Sequence, residues 1–141
     1  MKKKLKKMKI IGIEHIGIAV KALNTDASFW KHILKIPALG KEALPEQGVE
    51  TDIYDTGRGK IELLESSGSD SPIDKFMKKR GPGLHHVCLE VEDINAAIKE
   101  LKDNDIELIS NVPRLGAEGY KVIFIHPRCA GGVLVELAQK S

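Results

Sequence analysis

Two stretches of the chain, IEHIGIAV at 13–20 and LHHVCLEV at 84–91, are short β-like runs that give way within a few residues to apolar positions three and four apart. A period near two belongs to a half-buried strand and a period of 3.6 to a helix with one buried stripe. Each stretch therefore predicts a strand, a short polar turn and an amphipathic helix. In the first, Asn24 or Thr25 is the expected cap of a helix whose buried stripe is Ala27, Trp30, Ile33 and Leu34. In the second, Asp93 caps a helix built on Ile94, Ala97, Ile98 and Leu101. Three short β-like runs come after each helix, at about 36–43, 49–56 and 60–66, then at about 106–112, 120–126 and 132–138. The turn Thr56-Gly57-Arg58-Gly59 joins two of them.

The two patterns superimpose: His86 lies 71 positions after His15, and Val91 lies after Val20 by the same interval. The chain is an internal duplication of a βαβββ unit. Between the copies, SDSPIDKFMKKRGPG places Ser71 at an N-cap, Pro72 at the first helical position, apolar Ile73, Phe76 and Met77 at helical spacing, and Gly81 as terminator. The predicted class is α+β, two tandem βαβββ modules (about 11–66 and 84–138) with a linker helix (about 71–80). Such modules form a cupped sheet with its inner side open to a ligand. The expected organisation is one domain over 10–141 behind a lysine-rich tail at 1–9.

The 141 residues, 42% hydrophobic and 30% charged, suit one soluble globular domain, and no run reaches the roughly 20 apolar residues of a membrane span. Six lysines lie in the first nine residues; removing them from the net +2 leaves 10–141 at −4. That mildly acidic body and an aromatic content of 4% argue against nucleic acid as a partner. The tail reads as a solvated extension, since Gly12, Glu14 and His15 interrupt the apolar run behind it and leave no export signal. Cys88 and Cys129 have neither disulfide-framework nor zinc-knuckle spacing, and a reducing cytoplasm is the expected compartment.

The duplication also pairs two carboxylates, Glu62 in Ile61-Glu62-Leu63 and Glu136 in Val135-Glu136-Leu137, 74 positions apart. A strand glutamate between apolar neighbours is costly to bury unless paired, protonated or bound to a metal. Two of them with two strand histidines, His15 and His86, fit a divalent-metal site of imidazole and carboxylate ligands. His85 and His86 point to opposite sides of their strand, so one of them faces the interior; symmetry with His15 selects His86 and leaves His85 a packing or supporting role.

These residues resemble the vicinal-oxygen-chelate superfamily of glyoxalase-like folds. Within it the segments EHIGIAV, LPEQGVETDIY, IELLE, SPIDKFMKKRGPGLHHVCLEVEDI and IHPRCAGGVLVEL resemble the methylmalonyl-CoA epimerase family. The resemblance implies metal ligands at His15, Glu62, His86 and Glu136, with cobalt first among cobalt, manganese, magnesium, nickel and zinc. It implies two bases, Glu46 of PEQGV on one face of the substrate carbon and Glu136 on the other. The implied substrate is a coenzyme A thioester, (R)- or (S)-methylmalonyl-CoA, inverted through an enolate, and the implied assembly is a homodimer. Lys78, Lys79 and Arg80 are suited to coenzyme A phosphates or, equally, to offsetting the dipole of the linker helix. The competing readings are a metal-dependent glyoxalase I, against which PEQGV argues, a ring-cleaving dioxygenase, and a non-catalytic binding protein of the same fold.

Overall fold

A computed structural model describes residues 7–68 and 70–140. Eight strands run β1 Ile10–Ala19, β2 Ala38–Leu44, β3 Val49–Asp55, β4 Lys60–Ser66, β5 Gly83–Val91, β6 Arg114–Leu115, β7 Lys121–Ile125 and β8 Val135–Gln139. Three α-helices, α1 Leu23–Ser28, α2 Pro72–Arg80 and α3 Ile94–Asp103, complete two βαβββ sets joined by α2. The contacts divide the chain into two units: Glu14–Val87, and the described residues up to Ile13 together with those from Cys88 onward.

In the Glu14–Val87 unit the strands lie in the order β2-β3-β4-β1. β4 runs parallel to β1 and antiparallel to β3, so the sheet is mixed. Val20, Leu23, Tyr54 and Leu63 form one buried cluster under α1, and Ala19, Val49, Leu64 and Ile73 form another under α2. α2 begins as its sequence dictates: the Asp74 amide donates to Ser71 Oγ at 3.1 Å, and the Asp74 carboxylate accepts from the Asp70 amide at 2.9 Å. Gly81, at φ 74°, ends it.

α1 departs from its sequence pattern at both ends. It starts at Leu23, whose amide donates to Glu65 Oε1 of β4 at 2.6 Å, while Asp26 reaches back to accept from the Ala22 amide at 3.1 Å. These acceptors do what Asn24 or Thr25 was expected to do. The helix then widens into a π-turn over Phe29–Ile33, closed by Leu34 N–H donating to the Phe29 carbonyl at 2.9 Å. The extra residue per turn rotates the side chains at its C-terminal end away from the regular helical positions. Ala27 and Trp30 pack inward, but Ile33 and Leu34 are carried off the stripe and are 67% and 47% exposed.

In the other unit the order is β5-β8-β7-β6. Val91, Ile94, Ala97, Ile98, Ile123, Ile125 and Leu137 make its main core, and α3 is capped as expected by Asp93, which accepts from the Ala96 amide at 3.0 Å. The run expected at 106–112 is not a continuous strand. Asp105 leaves α3 at φ 58°, and the chain then pairs with β7 only through a bridge between Leu108 and Ile125, ahead of the two-residue β6. β8 starts at Val135 because Gly131 and Gly132, at φ 65° and 91°, are spent on a turn.

The end of the lysine-rich tail is tied down. The Met8 amide donates to Glu100 Oε2 at 2.9 Å, Met8 packs against the main core, and the Lys9 carbonyl accepts from the Glu92 amide. The expectation of a solvated extension otherwise falls on residues 1–6, outside the described residues. Among the described residues no helix is long and apolar enough to cross a membrane, and both cysteines are free, Cys88 buried and Cys129 exposed.

Candidate metal centre

Within the Glu14–Val87 unit, β1, β4 and the first half of β5 bring together three of the five residues selected from sequence. The parallel register of β1 and β4 sets Gly17 beside Glu62, and His15 lies two residues before Gly17 on the same face. The space above Gly17 is filled by the His86 ring. A Cβ on Gly17 would stand 2.2 Å from His86 Cε1, 2.5 Å from Nδ1 and 2.7 Å from Nε2, closer than any real Cβ packs. Gly17 therefore gives His86 its seat.

His86 Nε2 faces His15 Nε2 at 3.0 Å, with the rings nearly perpendicular at 85°. The other nitrogen of His15, Nδ1, lies 2.9 Å from Glu62 Oε2 and 3.5 Å from Glu14 Oε1. Glu14 is itself buried and meets Lys60 Nζ at 3.4 Å. The alternation expected along β5 does not separate the rings of His85 and His86, which lean together: Nδ1 of His85 lies 2.9 Å from Nδ1 of His86, and His85 packs T-shaped on Phe76 of α2, centroids 5.0 Å apart.

The donors are of the types a cation takes, and they meet His15 on two sides: His86 at Nε2, Glu62 and Glu14 at Nδ1. His15, Glu62 and His86 are all buried. Two imidazole nitrogens 3.0 Å apart need a proton between them or a shared Lewis acid, and neighbouring ligands each about 2.1 Å from one ion at a right angle stand roughly 3 Å apart. Glu14, His15 and Glu62 each offer a ligand atom, and these lie within 4.8 Å of one another.

The other two selected residues come from elsewhere in the chain. Glu136 is a buried residue of β8 in the other unit, paired in register with Phe124 of β7. Glu46 is exposed on a single 3₁₀ turn, Pro45–Gln47, between β2 and β3. Gly48 closes that turn at φ 63°, and a Cβ there would stand 2.7 Å from Cβ of Ser71, so the turn rests directly on the cap of α2. Lys78, Lys79 and Arg80 lie in the last turn of α2, and Lys78 pairs with Asp74 at 3.1 Å.

Sequence reasoning missed Gly17, Glu14 and Lys60. A residue two after a ligand on a strand shares its face, so a glycine there signals a close approach. Glu14 offered no such signal, because its burial depends on Lys60 from another strand. On β3, the Tyr54 hydroxyl donates to Asp52 Oδ2 at 2.6 Å, and burial, followed by the Asp52 carboxylate, holds the phenol above its ordinary pKa.

Residues 14–124 match the family described as the Glyoxalase/Bleomycin resistance protein/Dioxygenase superfamily, and the chain belongs to it. The relatives narrow the class. The mitochondrial methylmalonyl-CoA epimerase of Bos taurus is 44% identical over 128 residues, 90% of this chain and 73% of that protein. The crystal structure of methylmalonyl-CoA epimerase from Mycobacterium tuberculosis superimposes with a TM-score of 0.90 at 30% identity, covering 94% of this chain and 89% of the other. A methylmalonyl-CoA epimerase in complex with methylmalonyl-CoA and NH4+ superimposes at 0.89, with 29% identity, over 94% and 96%. The fold is glyoxalase-like, as the resemblance implies, with the tandem βαβββ modules that the duplication predicts.

Proposed function

We propose that this protein is a methylmalonyl-CoA epimerase that interconverts the (R) and (S) forms of its substrate by moving one α-proton. The observation that carries the reading is the buried His15–His86 pair with Glu62 beside it, in a chain whose relatives are epimerases of that substrate. His15, Glu62, His86 and Glu136 hold a divalent ion, cobalt by resemblance. Placement of Glu136 in this set is supported by the repeat, which makes it the counterpart of Glu62. Bound there, the ion supplies a Lewis acid for the negative charge that develops on the substrate oxygens during proton loss.

The chain's own part is to hold and move the proton. The α-carbon of methylmalonyl-CoA lies between a thioester and a carboxylate, and inversion removes the proton from one face and returns one to the other. Glu46 serves one face and Glu136 the other. The exposed turn carrying Glu46 leaves its carboxylate accessible to an incoming substrate. The protein works as a cytoplasmic homodimer, with 10–141 as its single domain; light scattering at micromolar concentration should give twice the chain mass, and a monomer would contradict that assembly.

Glu46→Gln tests the two-base reading because the amide is nearly isosteric but takes no proton. The variant should keep its metal and lose epimerisation by ~10²–10⁴. In deuterated water it should still exchange the α-proton of one epimer without inverting it. Inversion at the parental rate would overturn the assignment.

A further inference from the structure

The metal-centre reading leaves His85 unused, although its ring reaches the far nitrogen of His86. An imidazole binds a cation only through an unprotonated nitrogen, and which nitrogen that is depends on the hydrogen bond made by the other. His86 has Nε2 at 3.0 Å from His15 and Nδ1 at 2.9 Å from His85. The His85 ring is in turn held edge-to-face by Phe76 at 82°, and Phe76 has the Arg80 guanidinium 5.9 Å from its centroid. A half-buried ring braced by α2 is thus aimed at the nitrogen of His86 that does not face His15.

We infer that His85 is a positioning residue for the metal centre: its Nδ1 accepts the Nδ1–H of His86, which fixes His86 in the tautomer whose Nε2 lone pair is directed toward His15. No covalent step is involved and the proton count of His86 does not change; the proton is kept on Nδ1. Gly17 fixes where the ring sits, and His85 fixes which nitrogen it presents. This rests on the reading of His86 as a ligand.

The test compares the full-length wild type, His85→Phe, His85→Asn and His86→Ala by zinc affinity in chelator competition and by ¹⁵N–¹H correlation spectra of zinc-loaded, histidine-labelled protein. His85→Phe keeps the ring against Phe76 but has no acceptor. His85→Asn loses the ring but places an amide oxygen near the position of Nδ1. The wild type should show His86 protonated at Nδ1. His85→Phe should bind zinc roughly 10–100-fold more weakly, and His85→Asn should recover most of that loss. Equal affinity in wild type and His85→Phe, with His86→Ala deficient, overturns this inference alone. A His85→Asn as weak as His85→Phe shows that an acceptor at this position does not restore the site, and also overturns it. A wild type that binds no zinc overturns the metal reading together with this one.

Discussion

At the residue scale the candidate site depends on one missing side chain. A Cβ on Gly17 would fall in the space that the His86 ring fills, so Gly17→Ala must expel the ring from above β1. Metal affinity is expected to fall on the order of 10–100-fold, measured by chelator competition, while the fold persists because the added methyl faces the site. Affinity at the wild-type level would show that His86 is seated otherwise. Tyr54 and Asp52 make a second local prediction away from the site. Tyr54→Phe leaves a buried carboxylate without its donor and should cost about 1–3 kcal/mol in urea unfolding. The phenol's pKa is raised in the folded state, so its stabilisation is complete below the unfolded value near 10 and is lost as pH rises above it. Stability of the wild type should decline above about pH 10 more steeply than that of Tyr54→Phe, as followed by denaturation at fixed pH.

At the element scale, helices with local signals match the sequence and helices with distant partners depart from it. α2 and α3 begin where Ser71 and Asp93 placed them, because a cap bonds amides two or three residues on. Asp93→Ala should therefore cost about 1 kcal/mol in urea unfolding; no change would mean that the Gln139 side chain, which accepts from the Ile94 amide at 2.8 Å, suffices alone. α1 is different because Glu65, 42 residues away, caps its first turn, and no local pattern announces that. Its π-turn likewise inverts an expectation about packing. Ile33→Ser should change stability by less than about 0.5 kcal/mol, whereas Leu23→Ala, in the buried cluster, should cost about 2–5 kcal/mol; a comparable loss from Ile33→Ser would restore the regular-helix stripe. The run at 106–112 read as a strand from Ile106, Leu108 and Ile109, but Asp105 in the left-handed region and Pro113, which has no amide proton to donate, interrupt its pairing with β7.

At the scale of the whole molecule, duplication made the class legible. A repeat doubles each weak signal, so His15 with His86 and Glu62 with Glu136 stood out where a single buried histidine or glutamate would not. The family match and the relatives agree with the class that the repeat and the motifs indicated. Less legible were the features made by approach in three dimensions: the seat at Gly17, the Glu14–Lys60 pair behind His15, and the His85 brace on Phe76. None has a sequence period, because each joins elements through side chains rather than through backbone repeat. On the proposed function, this chain moves the α-proton of methylmalonyl-CoA with the help of a bound divalent ion. The most direct measurement tracks deuterium incorporation and inversion at the α-carbon of each epimer in deuterated water, before chelation, after it, and after adding back cobalt. Exchange and inversion of both epimers should be present, disappear with the metal and return with it. Metal-replete protein that neither exchanges nor inverts the α-proton, or protein whose rate is untouched by stripping the metal, would contradict the account.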